Sequence, residues 1–245
     1  MSDLSGKTTI VVGASRGLGH GIATAFAEAG SRVVAVSRTA APIADPAGST
    51  VPERADAGDP TVAGSLLDRY RPEVVVLAAG ASPHMRPLQH QTWETFSVNW
   101  QTDVRIAFHW LREALLTPLR PGSRVIVVSS GAAMAGSPLS GGYAGAKATQ
   151  RFITGYAQDE AKRAGLDITF SAVLPRITPV TELGRSAARA YAARDGRSEE
   201  EYLKQMGPLL TPEIAGSAMV ELVRTEATAV APGYLLTGTG LKKLP

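Results

Sequence analysis

Residues 7–36 read KTTIVVGASRGLGHGIATAFAEAGSRVVAV, and the order of chemical character along this stretch sets the fold class. Lys7–Val12 is a short β-rich run, and Gly13-Ala-Ser-Arg-Gly17-Leu-Gly19 comes directly after it. Apolar residues then recur at helical spacing: Leu18, Ile22, Ala25, Phe26 and Ala29 share one face, and Gly30 ends the helix. Arg32–Val36 is the next apolar run. Strand, glycine turn, helix and strand make one right-handed parallel βαβ unit. Glycines in such a turn let the backbone fold tightly, approach a pyrophosphate closely and present helix N-terminal amides to its charge.

The pattern continues outward from this unit. Residues 39–52, TAAPIADPAGSTVP, stand where a second crossover helix belongs; their three prolines predict a short or irregular one. Pro60–Tyr70 has helical spacing, and Glu73–Ala79, EVVVLAA, is a continuous apolar strand closed by Gly80. A long helix is predicted from Thr92 to Leu116, with Phe96, Trp100, Val104, Phe108, Leu111 and Leu115 as its apolar face and Pro118 beyond its end. A strand over 123–129, a helix from Tyr143 to Ala164 and a strand over 167–174 extend the repeat. After Pro175 the pattern loosens: Gly184–Gly207 is charged, Ala-rich and broken at Gly196. Thr211 then caps a helix to Val223, and Gly233–Thr237 reads as the last strand. The expectation is an α/β chain: a Rossmann-type doubly wound parallel sheet of about seven strands, in three α/β/α layers, with residues 1–245 forming a single domain.

Composition narrows the function classes. The 245 residues carry a formal net charge of +3, and the basic residues are scattered rather than clustered, which argues against a nucleic-acid partner. There are no cysteines, so disulfides, thiolate zinc sites and thiol nucleophiles are excluded. MSDLSGKTTI runs directly into a strand with no apolar stretch suited to a signal peptide or membrane span, which predicts a cytoplasmic protein without a membrane partner.

The chemistry concentrates in residues 129–147, SSGAAMAGSPLSGGYAGAK. A helix beginning near Tyr143 puts Lys147 one turn on, on the same face. A Gly/Ser/Pro-rich loop can return the hydroxyl of Ser129 or Ser130 to the ring. Free tyrosine, with a pKa near 10, exchanges protons poorly at neutral pH, and a neighbouring ammonium favours the phenolate. Tyr143 is thereby a candidate general acid and base. At the end of the second strand stand Ser37 and Arg38, with Arg16 inside the glycine turn and no acid among them. Two guanidiniums suit a 2′-phosphate, which predicts NADP in preference to NAD.

Taken together these residues resemble the short-chain dehydrogenase/reductase family, in its single-domain, carbonyl- and ketoacyl-reductase-like branch. The G-x-x-x-G-x-G spacing of Gly13, Gly17 and Gly19 is that family's. Leu77-Ala78-Ala79-Gly80 stands where the family has Asn-Asn-Ala-Gly, and Asn99, Ser130 and Tyr143-x-x-x-Lys147 match its active-site positions. The resemblance implies NAD(P)-dependent reduction of a carbonyl or oxidation of an alcohol. Tyr143 would be the general acid/base, and Ser130 would orient and polarise the carbonyl. Lys147 would lower the tyrosine pKa and hold the nicotinamide ribose, while Asn99 would support a proton-relay water. It places the cofactor against Gly13, Ser15, Arg16, Gly17, Leu18, Gly19, Ser37, Arg38, Asp56 (at the adenine), Ala79, Gly80, Tyr143, Lys147 and Thr178. It also implies a homo-oligomer, dimer or tetramer, formed through the helices beginning near Thr92 and Tyr143.

The chain departs from that pattern in places. Arg176 replaces a glycine after Pro175, which leaves Thr178 or Thr181 for the carboxamide and Arg176 either facing outward or toward substrate. His84, Met85 and Arg86 fall at the substrate edge of the sheet, 184–207 where the family keeps a substrate lid, and TGTGLKKLP lacks the family's usual tail. These departures leave a second reading open, a non-catalytic NADP(H)-binding sensor or scaffold; the intact Asn99, Ser130, Tyr143 and Lys147 oppose it.

Overall fold

Strands covered on both faces need apolar side chains at nearly every position, and the central runs of this chain meet that requirement. The computed structural model describes residues 4–39, 42–43 and 48–245. Its strands are β1 (Thr8–Val12), β2 (Arg32–Ser37), β3 (Val51–Arg54), β4 (Val74–Leu77), β5 (Ser123–Val128), β6 (Ile168–Pro175), β7 (Gly233–Thr237) and β8 (Gly240–Lys243). They form one sheet in the order β3-β2-β1-β4-β5-β6-β7-β8. Neighbours are parallel except β7 and β8, an antiparallel pair with Thr237 opposite Gly240. The direction of winding reverses between β1 and β4, where a doubly wound sheet opens its crevice.

Side chains alternate across the strands and so divide the core in two. Val11, Val74 and Val76 join one cluster, with Ile22 and Phe26 of α1 (Gly17–Glu28) and Met219 of α9 (Pro212–Arg224). Ile10, Val12, Val75 and Leu77 join the other. That second cluster is covered by α2 (Pro60–Tyr70), α4 (Arg105–Leu116) and α6 (Gly141–Arg163). Four shorter or peripheral helices, α3 (Trp93–Asn99), α5 (Ala132–Ala135), α7 (Glu182–Arg194) and α8 (Glu199–Gln205), gather near the carboxyl edge of the sheet.

The sheet is the parallel one expected, at about seven strands, with a short antiparallel strand added at its edge: after Thr237 the chain reverses through Gly238-Thr239 and Gly240, at φ +99°, and pairs back on β7. One expectation is corrected. The helix expected from Thr92 to Leu116 is interrupted by a π-helical segment at Trp100–Val104. The wider turn rotates α4 about its axis, so the buried face of that helix is Ile106, Ala107, Trp110, Leu111 and Ala114, while Phe108 is exposed. The expected crossover in 39–52 falls partly on 40, 41 and 44–47, outside the described residues; positions 42, 43 and 48–50 are not helical. Among the described residues no helix is long and apolar enough to cross a membrane.

α1 and α9 meet through glycines. A Cβ on Gly21 would lie 2.4 Å from the Pro212 carbonyl oxygen, and one on Gly216 would lie 2.5 Å from the Gly21 carbonyl oxygen. Gly216→Val drives the helices apart at a buried contact. It is expected to cost about 2–3 kcal/mol, lowering the thermal midpoint followed by circular dichroism by roughly 2–4 °C per kcal/mol; an unchanged midpoint contradicts the packing described.

Candidate active site

The glycine turn between β1 and α1 must pass very close to the end of β4. Gly13 has φ +90°, and a Cβ there would sit 2.6 Å from the Ala79 nitrogen; one on Gly19 would sit 2.2 Å from the Gly13 carbonyl oxygen. A glycine at each position closes the turn. It delivers the start of α1 to the crevice with no side chain capping it and no acid in its first turn. Uncapped first-turn amides and the positive end of a helix suit an anionic group. The residues present therefore fit the pyrophosphate of a dinucleotide.

A cleft of about 1340 Å³ opens over this turn. Its walls include all the residues anticipated for the cofactor, from Gly13 to Gly19 through Ser37, Arg38, Asp56, Ala79 and Gly80 to Thr178, and also Ser130, Tyr143 and Lys147. Arg16 reaches across the mouth to Glu182 in the first turn of α7, Nη1 to Oε2 2.7 Å, with both side chains exposed. Arg38 is exposed on the cleft wall, and Arg54 donates from Nε to the Arg38 carbonyl at 3.2 Å, adding a cation that the sequence pattern did not single out. Asp56 accepts from the Gly58 amide at 2.9 Å through one carboxylate oxygen.

The two serines at the end of β5 separate by task. Ser129 is buried and donates to the Lys147 carbonyl at 2.7 Å. Ser130 accepts from the Ala132 amide at 3.2 Å, which leaves its hydroxyl proton to donate into the cleft. Tyr143, half-buried, and Lys147, buried, stand one turn apart on α6, with Nζ 5.5 Å from the ring centroid.

Lys147 meets a partner that sequence reasoning missed. Its Nζ lies 3.1 Å from Asp103 Oδ2 and also donates to Gln150 Oε1 at 2.9 Å and the Val128 carbonyl at 3.3 Å. All three ammonium protons are thus engaged. Burial pushes the lysine toward its neutral form, but the Asp103 carboxylate, the neighbouring Tyr143 and the hydrogen bond to Asp103 outweigh it, so its pKa is held above the ordinary lysine value. Asp103 sits on the π-helical segment; its Oδ1 accepts from the Ala81 amide at 2.8 Å. A Cβ on Gly80 would lie 2.7 Å from Asp103 Oδ2, so the glycine makes room for the carboxylate. The available signal was a lone acid in SVNWQTDVRIAFHW, on a helix expected to pack an apolar face. Asn99 lies behind this wall, donating from Nδ2 to the Ala81 carbonyl at 2.7 Å and toward both Asp103 oxygens. Its buried Oδ1 has no hydrogen-bond partner among the described residues.

The far wall comes from residues after β6. Thr181 caps α7, accepting from the Gly184 amide at 3.1 Å, whereas Thr178 is buried at the cleft and donates to the Arg176 carbonyl at 3.2 Å. Arg176 is exposed on the cleft wall, near enough to Tyr202 to oppose the rise in its pKa that burial causes. Within 184–207 the chain forms α7 and α8, broken at Gly196, and Tyr191 stacks on Tyr202 with centroids 6.3 Å apart. Tyr191 also hydrogen-bonds Ser137 in the loop leading to α6. Met85 lines the cleft, while His84 and Arg86 are exposed beside it.

The family model for short chain dehydrogenases matches residues 7–192. A versicolorin reductase of Emericella nidulans is 30% identical over 226 residues, spanning 85% of this chain and 83% of that protein. A hydroxynaphthalene reductase-like protein of Metarhizium majus is 31% identical over 189 residues, 70% of this chain and 68% of that one. Among solved structures, a short chain dehydrogenase from Burkholderia cenocepacia in complex with NADP superposes with TM-score 0.75 at 22% identity, covering 96% of this chain and 89% of that one. One from Mycobacterium avium gives TM-score 0.79 at 22% identity, covering 100% and 86%. The chain belongs to the short-chain dehydrogenase family and is an oxidoreductase acting on CH–OH and C=O groups with a nicotinamide cofactor.

Proposed function

We propose that this chain is an NADPH-dependent reductase, a single cofactor-binding domain with its substrate region at about 176–210, which converts a ketone to an alcohol and runs in reverse as a dehydrogenase in the cytoplasm. The observation that carries the reading is the meeting of Ser130, Tyr143 and Lys147 in one cleft with the uncapped start of α1. The bound cofactor supplies hydride; the protein's own groups handle the proton and the geometry.

Tyr143 gives its phenolic proton to the substrate oxygen in reduction and takes it back in oxidation. Ser130 donates a hydrogen bond to that oxygen as negative charge builds on it. Lys147, charged and close to the ring, makes the phenolate easier to form. A ribose hydroxyl on Lys147 would replace the longest of its three bonds, the one to the Val128 carbonyl at 3.3 Å. Asn99 stands where its unpartnered Oδ1 can accept from a relay water. Thr178, with Thr181 committed to capping, is the threonine proposed for the carboxamide.

Two relatives carry the names of aromatic substrates, and the lid wall here presents Tyr191 stacked on Tyr202 together with Met206, while Met134 of α5 also lines the cleft. Both support a substrate with a planar aromatic face. With NADPH, a bicyclic aromatic ketone is expected to exceed an acyclic aliphatic one by about tenfold in kcat/KM. In the same assay Tyr143→Phe loses roughly 10²- to 10⁴-fold in kcat; a variant as active as the parent would sink the assignment.

Preference for NADP is proposed from Arg16 and Arg38. The Arg16–Glu182 pair is exposed and easily exchanged for a stronger phosphate contact. Arg16→Ala with Arg38→Ala should weaken NADPH binding, measured by cofactor fluorescence, on the order of a hundredfold while NADH binding changes little. Equal losses for the two cofactors would refute the preference.

A homo-oligomer is proposed through α3, α4 and α6, where Trp93 is 72% exposed, Phe108 53%, Phe152 59% and Tyr156 61%. Apolar faces of this kind mark interaction surfaces. Sedimentation is expected to show a dimer or tetramer that Phe152→Asp dissociates; a monomeric parent protein overturns it.

A further inference from the structure

Asp103 is a buried ionisable group to which the proposed reaction assigns no task. It is fully buried on the π-helical segment, 3.1 Å from Lys147 Nζ. Alone in such a place, an ammonium sheds its proton and a carboxylate takes one up; side by side, each keeps the other charged. The remaining valences are met with care. Oδ1 takes the Ala81 amide, the Asn99 amide points at both oxygens, and Gln150 bridges Lys147 Nζ to the Asp103 carbonyl, donating to the latter at 2.9 Å. An apolar pair of similar volume would serve stability as well or better, so the fold alone does not account for the acid.

We propose that Asp103 is a positioning residue, which keeps Lys147 in its ammonium form and fixes that charge beside the Tyr143 ring. The proposal rests on the reading of Tyr143 as the proton-transferring group. Only a charged lysine eases the loss of the phenolic proton; a neutral amine in the same position does not. Asp103 thereby sets the pH at which the site works without touching substrate.

The elements packed on α6 bring no competing charge to this centre. Glu94 lies exposed at the start of α3, and Arg105 of α4 lies against Gly58. His109 faces toward Asp59, and Arg112 pairs with Glu113. Arg124 of β5 bonds Thr169 and the Thr225 carbonyl, while α5 and β6 carry no ionisable residue. The groups acting on Lys147 among the described residues are Asp103 and Tyr143. Because the folded chain holds this proton more tightly than the unfolded one, the stabilisation is complete below the ordinary lysine pKa of about 10.4 and is lost as pH rises through the higher folded value.

The test is a titration of the full chain labelled with ¹³C at lysine Cε, with Lys147 assigned by Lys147→Arg and the exposed Lys7, Lys162, Lys204, Lys242 and Lys243 as internal references. In the parent protein Lys147 is expected to titrate above the exposed lysines; a midpoint below them overturns the proposal, and this arm is read on the parent protein with Asp103 in place. In Asp103→Asn the Lys147 midpoint should fall by roughly 2 units or more, and an unmoved midpoint overturns the proposal. In turnover, the pH profile of alcohol oxidation by Asp103→Asn should move to alkaline pH, toward that of Lys147→Met; a profile that stays or moves to acid pH counts against it. Absence of any turnover in the parent protein sinks the reductase reading instead, and the lysine titration still decides Asp103.

Discussion

Space at the carboxyl edge of β1 and β4 governs how the remainder of this molecule is built. The turn after β1 passes so near the end of β4 that a Cβ on Gly13 would meet the Ala79 nitrogen at 2.6 Å, and one on Gly80 would meet Asp103 at 2.7 Å. Side chains are excluded there, so backbone amides and a buried carboxylate occupy the ground between the strands. The uncapped start of α1, the anion-binding character of the crevice and the route by which the π-helical segment reaches the floor of the site are all consequences of that crowding.

The second consequence is electrostatic. Asp103 enters the interior because the wide π turn at Trp100–Val104 lets the one acid of that stretch face inward. Lys147 arrives from α6, and each makes burial of the other tolerable. The same turn changes the phase of α4, which buries Trp110 and leaves Phe108 outside. One backbone irregularity thus brings Asp103 to Lys147 and leaves Phe108 on the surface.

The segment bearing α7 and α8 shows how a loosely patterned stretch acquires shape. α7 and α8 are short and charged, yet Thr181 and Ser198 cap them, Tyr191 stacks on Tyr202, and Ser137 ties them to the loop that carries the site. Little of this bears on the sheet, so this part of the pocket can vary in shape while Ser130, Tyr143 and Lys147 stay where β5 and α6 put them.

Much of the fold was legible because it rests on local rules. The parallel apolar runs, the glycine turn and the spacing of Tyr143 and Lys147 are periodicities and short-range geometry, and they identified β1, α1, the β4 end and the helix bearing the pair. Three features required tertiary structure. Asp103 has no motif of its own; its meaning lies in Lys147, 44 positions on, and in the room left at Gly80. The π turn leaves no compositional mark, since Phe96, Trp100, Val104 and Phe108 read equally well as one stripe of an unbroken helix. Pairing of β8 with β7 depends on a hairpin whose register only the sheet edge supplies. The chemistry this chain carries was already written in its linear order, because spacing along one helix is a local property. Which charge stands beside that chemistry was settled only in three dimensions, because burial and counter-ion contact are made between segments distant in the chain.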